Sequence, residues 1–257
     1  MNYTLRNIKI KSNWFDDDGK FKKMGPEVFY LFLELFKFRL HNQENEHHCL
    51  TSIYHLRKET GFSKKDIFNY LKELQKVKVV KIENVPRWDR FLKADGSIPE
   101  KEILEITVTD LPETEKGIDE HSNTFDKPVS NEDYYISIDF GVVEAYITRR
   151  LHYKCLPVYC LMRRYQNGNR EKKSYMAIEK MAKILGYDKD YLNKLIREMN
   201  RKYLLYSDYR INKQRGSGFL FEHHLLCTIS EEVGFLRAFK EQIDKNTRKW
   251  DKKEQSK

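Results

Sequence analysis

Several residue sets in this chain have types and spacings that could do chemistry. The first is Cys155, Cys160, His223 and Cys227. His223 and Cys227 would share one face of a strand, but the spacing fits no common zinc pattern, and reduced cysteine more often fills small spaces in a core. Two adjacent pairs, His47–His48 and His223–His224, are a second set. Metal-dependent DNA-nicking sites need two histidines on one face of a strand, and adjacent residues point to opposite faces. Gly19–Lys20 is followed by Phe21, so no phosphate-cradling GxxxxGK[ST] loop is present. The GSG at 216–218 lacks the strand-to-helix setting of a dinucleotide site. No Ser/His/Asp or Cys/His arrangement stands out. The expectation is a chain with no catalytic residues, no metal and no cofactor.

The remaining chemistry-bearing set is basic and amide. Ser63, Lys64, Lys65, Asn69, Lys72 and Lys76 lie in one segment. Lys189, Asp190, Asn193, Lys194, Arg197 and Arg201 lie in another, followed by Arg210, Lys213, Gln214 and Arg215 before two glycines. Lys and Arg pair with phosphates, Asn can pair bidentately with adenine, Arg with guanine, and Asp can accept from cytosine N4. The partner these residues fit is double-stranded DNA.

The elements that must position them repeat. Residues 51–83 and 176–208 align without a gap at an offset of 125. Ile53 matches Ile178, Leu56 Met181, Gly61 Gly186, Ser63 Asp188, Ile67 Leu192, Leu71 Ile196 and Leu74 Met199. Upstream, the segments after Pro26 and Pro157 match at an offset of 131. Pro suits the first turn of a helix. Short helices are expected at Ser52–Glu59 and Ala177–Leu185, closed by left-handed Gly61 and Gly186. Ser63 and Asp188 then cap second helices, whose apolar stripes are Ile67, Leu71 and Leu74, and Leu192, Leu195, Ile196 and Met199. The runs VKVVKIE and YLLYSDY read as strands. Each leads through a loop, Asn84–Lys101 or Arg210–Gly218, to a second strand. Short strands are expected at His48–Leu50 and Lys173–Tyr175.

This order of helix, strand, helix–turn–helix and β-hairpin resembles a winged helix, over 26–109 and 156–229. The expected fold class is α+β: two tandem winged-helix domains with a C-terminal helix. The tandem arrangement is similar to the replication initiators of theta-type plasmids and phages. That resemblance implies that the second helix of each pair enters a major groove while the hairpin wing reaches the backbone or minor groove. It also implies that one unit reads the core of a repeat and the other dimerises or touches the repeat's outer part.

Charge and composition set the boundaries. The chain has 257 residues and a net charge of +9. Residues 1–109 carry net +4, residues 110–133 net −6, and residues 134–257 net +11. The expected domains are therefore 1–109, an acidic mobile linker at 110–133, 134–230 as the main DNA-binding domain, and a C-terminal helix with a frayed basic tail at 231–257. The helix VFYLFLELFKFRL is apolar on most sides, which allows either a homodimer through the first domain or a buried core helix. The longest apolar run is six residues, Val28–Leu33, too short to span a membrane. The N-terminus MNYTLRNIKIK lacks an apolar signal region, and four irregularly spaced cysteines make no disulfide framework, so a cytoplasmic location is expected. Three functions fit: a non-catalytic replication initiator, a transcriptional regulator with the same DNA-binding parts, or a protein-interaction adaptor of a replication or regulatory complex.

Overall fold

The computed structural model describes residues 7–40, 47–85, 87–118, 122, 124–166, 173–211 and 219–255, without the side chains of 132, 209–211, 219–221 and 253. The chain divides into two compact units, Met1–Tyr135 and Ile136–Lys257. Both are mixed α/β with small antiparallel sheets.

Unit 1 opens with β1 (Asn7–Lys11) and a 3-10 turn, Ser12–Phe15, and then α1 (Lys20–Leu35). Helix α1 is broken at Gly25, where φ is +73°, so Pro26 starts a fresh helical segment. There its missing N–H costs nothing. Every residue from Val28 to Leu35 is buried, including Glu34, whose carboxylate lies 2.8 Å from Lys37 Nζ. The 3-10 turn supplies part of the cover, with Trp14 tilted against Phe32 at 4.9 Å and Phe15 edge-on to Phe29 at 5.8 Å. The all-round apolar pattern that suggested a dimer is thus satisfied within the unit: α1 is a core helix, and its apolar face offers no surface for a partner.

After α1 come β2 (His48–Thr51), α2 (Ile53–Thr60), α3 (Lys64–Lys76), β3 (Val80–Ile82), a single turn of helix α4 (Trp88–Phe91) and β4 (Leu104–Val108). The sheet order is β2-β4-β3, with Cys49 opposite Ile106 and Ile82 also opposite Ile106. Gly61 ends α2 at φ +74°.

The 110–133 stretch corrects the expectation of a linker. It carries the hairpin β5 (Thr114–Ile118) and β6 (Thr124–Pro128), and the unit boundary falls after it. Long-range pairing holds it in place. Asp126 lies 2.5 Å from Lys9 and Asp133 3.0 Å from Lys11, while Asp110 accepts from Trp14 Nε1 at 2.8 Å and pairs with Lys20. Bonds from Ser130 and the Glu113 N–H, with Lys11 nearby, hold the Asp133 carboxyl down at about 2.

β7 (Tyr135–Asp139) leads into unit 2, where Asp139 caps α5 (Phe140–Thr148) by accepting from Val142 N–H. Neither element is foreseen in the sequence reading. Then follow α6 (Cys155–Arg164), β8 (Lys173–Ser174), α7 (Ile178–Leu185), α8 (Lys189–Arg201), β9 (Leu205–Ile211), β10 (Phe219–Leu225) and α9 (Glu232–Gln255). The sheet order β8-β10-β9 repeats that of unit 1: the last strand sits between the strand before the helix pair and the strand after it. Gly186 ends α7 at φ +66°, as Gly61 ends α2. The expected frayed tail is helical through Gln255. All four cysteines are buried thiols. No described helix is long and apolar enough to cross a membrane.

Candidate nucleic-acid interface

The local sequence aims α3 and α8. Ser63 accepts from the Asp66 N–H at 3.1 Å, and Asp188 accepts from the Asp190 and Tyr191 N–H groups at 2.8 and 3.1 Å. Each cap satisfies donors that the first helical turn leaves without a carbonyl. Ile67, Leu71 and Leu74 on α3, and Leu192, Leu195, Ile196 and Met199 on α8, are buried. At 100° per residue the opposite face is fixed: Lys65, Asn69, Lys72 and Lys76 on α3, and Asp190, Lys194, Arg197 and Arg201 on α8. These rows correspond position by position at the offset of 125.

In unit 1 the row Lys65, Asn69, Lys72 and Lys76 is exposed, with Lys64 half-buried beside it. Lys72 Nζ lies 5.4 Å from the centre of the Phe68 ring, and Lys76 Nζ is 3.3 Å from Glu73. The loop after β3 folds along one flank of α3. Trp88 meets Phe68 edge-on at 5.1 Å and donates through Nε1 to Gln75 at 2.9 Å. This loop therefore braces the helix and leaves the basic row of α3 at the surface. Of the charges in it, Arg87 turns to Asp89 at 2.9 Å.

In unit 2 the row is differently engaged. Lys189 pairs with Glu179 at 2.5 Å, which raises the lysine's pKa and lowers the carboxyl's. Asn193 is half-buried and donates to the Lys189 carbonyl at 3.1 Å. Asp190 and Lys194 are exposed. Arg197 lies 3.4 Å from Glu254 and over the Trp250 ring at 5.8 Å. Arg201 lies 2.8 Å from Asp251 and 3.1 Å from Glu254. All three partners are on the last two turns of α9, a segment the sequence reading treats as a basic tail. Arg210 is on β9 with its side chain outside the described residues, and Lys213, Gln214 and Arg215 lie outside them altogether.

A buried polar cluster ties α8 to the strands behind it. Asn200 accepts from the Ser207 N–H at 3.0 Å and donates to Ser207 Oγ at 3.3 Å and to the Ile196 carbonyl at 2.8 Å. Ser207 Oγ lies 2.9 Å from His223 Nδ1 across the β9–β10 ladder. Burial pushes the His223 imidazole down to about 4, so it is neutral near pH 7. Only the pairing of buried Asn200 with small polar residues on YLLYSDY could have signalled this in the sequence. Of the metal-ligand set weighed above, His223 is thus committed to Ser207, while Cys227 Sγ receives Arg163 at 3.1 Å. No three His, Cys, Asp or Glu side chains gather into a metal-binding group among the described residues.

No protein-family model matches the chain, and no curated protein does. Among solved structures, the crystal structure of the Pi initiator protein in complex with iteron DNA is similar at 12% identity and a TM-score of 0.44, over 86% of this chain and 97% of that one. A likeness of that size establishes neither the fold nor the function of this chain.

Proposed function

We propose that the chain is a sequence-specific double-stranded DNA-binding protein built of two winged-helix units, α3 and α8 being the groove-reading helices. Its role in this reading is that of a plasmid- or phage-type replication initiator with no catalytic step of its own. The observation that carries the DNA reading is the pair of corresponding rows. Lys65, Asn69, Lys72 and Lys76 stand opposite the buried stripe of α3, and Asp190, Lys194, Arg197 and Arg201 stand opposite that of α8. A structural helix–turn–helix has no need of base-pairing and phosphate-pairing side chains on its outer face in both copies.

The rows also say what kind of site is read. A major groove admits one α-helix. The two helices of one chain present different side chains, so a duplex contacted by both is read asymmetrically. Asymmetric sites in tandem, beside an A+T-rich stretch, suit an initiator. Inverted repeats suit a dimeric regulator. Lysines set the register through phosphates while Asn69 carries base readout.

Charge reversal tests the reading. Lys65→Glu, Lys72→Glu and Lys194→Glu together remove three phosphate contacts. The expected result is a loss of duplex affinity of at least about 100-fold near 0.15 M salt, and a log–log salt slope shallower by about three. Unchanged affinity with the fold intact would overturn the DNA reading.

A further inference from the structure

The two helix rows differ in one respect that the repeat does not explain. Lys72 and Lys76 on α3 correspond to Arg197 and Arg201 on α8, yet only the arginines are covered by a distant segment. The cover is the end of α9. The earlier part of that helix is anchored by packing. Phe239 stacks 5.0 Å from Tyr206 and lies tilted 4.5 Å from His224, Ile243 is buried, and Asp244 accepts from Tyr203 at 2.8 Å. No described residue after Ile243 is buried. Asn246 reaches the Ser207 carbonyl at 3.4 Å, and beyond it the helix meets α8 through Trp250, Asp251 and Glu254.

We propose that the last two turns of α9 are an autoinhibitory latch: Asp251 and Glu254 hold Arg197 and Arg201 where DNA phosphates would, and the latch must open for the C-terminal half of α8 to engage a duplex. This inference rests on the DNA-binding reading above. The geometry supplies its steric part. Arg197 and Arg201 lie on the outer face of α8, so a helix resting on them occupies the space a groove wall needs, and the groove takes one helix and not two. The electrostatic part follows from chemistry: a carboxylate and a phosphodiester compete for the same guanidinium donors. The energetics make the latch reversible, because partly exposed ion pairs are individually weak and screened by salt. Arg201 also lines a depression of about 390 Å³ with Arg150, His152, Lys202, Leu151 and Glu198.

The test compares the whole chain with its Asp251→Asn/Glu254→Gln variant, and with a chain ending at residue 249. The probe is a fluorescein-labelled mixed-sequence duplex, titrated by anisotropy over a range of salt. Both variants should bind about tenfold tighter than the parent, with a log–log salt slope steeper by up to about two. Glu144→Gln/Glu241→Gln makes the same change in net charge as Asp251→Asn/Glu254→Gln, away from the arginines, and should gain far less; ending the chain at 249 lowers the net charge by one, so a gain there cannot come from added positive charge. A parent chain that binds while the variants show no gain, or only the gain of the control, overturns the latch alone. No duplex binding by parent or variants overturns the DNA reading and the latch with it.

Discussion

Asn200 gives the sharpest test of how α8 is held. Its side chain is fully buried and joins the last turn of α8 to β9 through two hydrogen bonds with Ser207, with a third to the Ile196 carbonyl of its own helix. In Asn200→Ala the Ser207 N–H loses its side-chain acceptor inside the core, which costs roughly 1–3 kcal/mol. The void left by three heavy atoms adds up to ~1 kcal/mol at ~24 cal/mol per Å³. The Nδ2 bond to the Ile196 carbonyl adds little, because that carbonyl also lies in the helix ladder. The sum is about 3 kcal/mol, charged to unit 2. Ser207→Ala removes only the hydroxyl and leaves His223 Nδ1 without it, for about 1–2 kcal/mol. The two changes share partners, so their effects should fall short of adding by at least ~0.5 kcal/mol. Amide hydrogen exchange reads this segment by segment: α8 and β9 should open about 100-fold more readily in Asn200→Ala, while α1 and α3 keep the parent's protection. A change below about 1 kcal/mol, or one spread equally over both units, would refute the assignment of Asn200 as the tie between helix and hairpin.

Other consequences follow from single positions. Gly61→Ala and Gly186→Ala should each cost about 1 kcal/mol, the price of a left-handed backbone, since nothing lies within 4 Å of a Cβ at either position; thermal denaturation showing a stabilised protein would contradict the cap geometry. Buried His223 ionises at about 4 against an ordinary 6.5, so the unfolded chain takes up the proton first as pH falls. The stability this neutral imidazole contributes is complete above pH 6.5 and declines toward pH 4 by up to ~3 kcal/mol. Urea midpoints for unit 2 should show that decline and His223→Gln should flatten it; equal slopes in the two proteins would sink the assignment.

The legible parts of the fold are those written in short-range signals. Gly61 and Gly186, followed two residues later by Ser63 and Asp188, place both turns, both caps and both outward rows, because a left-handed closure and an N-cap need only a few consecutive residues. The misread parts depend on partners far away in the chain. The strands TEKGI and TFDKP lack any apolar alternation, and they are held by Lys9, by Lys11 beside Asp133, and by Trp14 on Asp110. Helix α1 looks overexposed until Trp14 and Phe15 fold over it. At the C-terminus the excess of lysine hides Asp251 and Glu254, which are three apart and so share a side of α9, facing the very arginines expected to face DNA. The candidate site was therefore visible as a set of residues, and the competition for it was not.

Selection of bound duplexes from a random pool, followed by sequencing, tests the central claim most directly. Two non-identical helix rows on one chain predict enrichment of a single asymmetric motif of about 15–20 base pairs, spanning roughly one helical turn per reading helix. Enrichment of an inverted repeat, or recovery of no duplex at all, would contradict it.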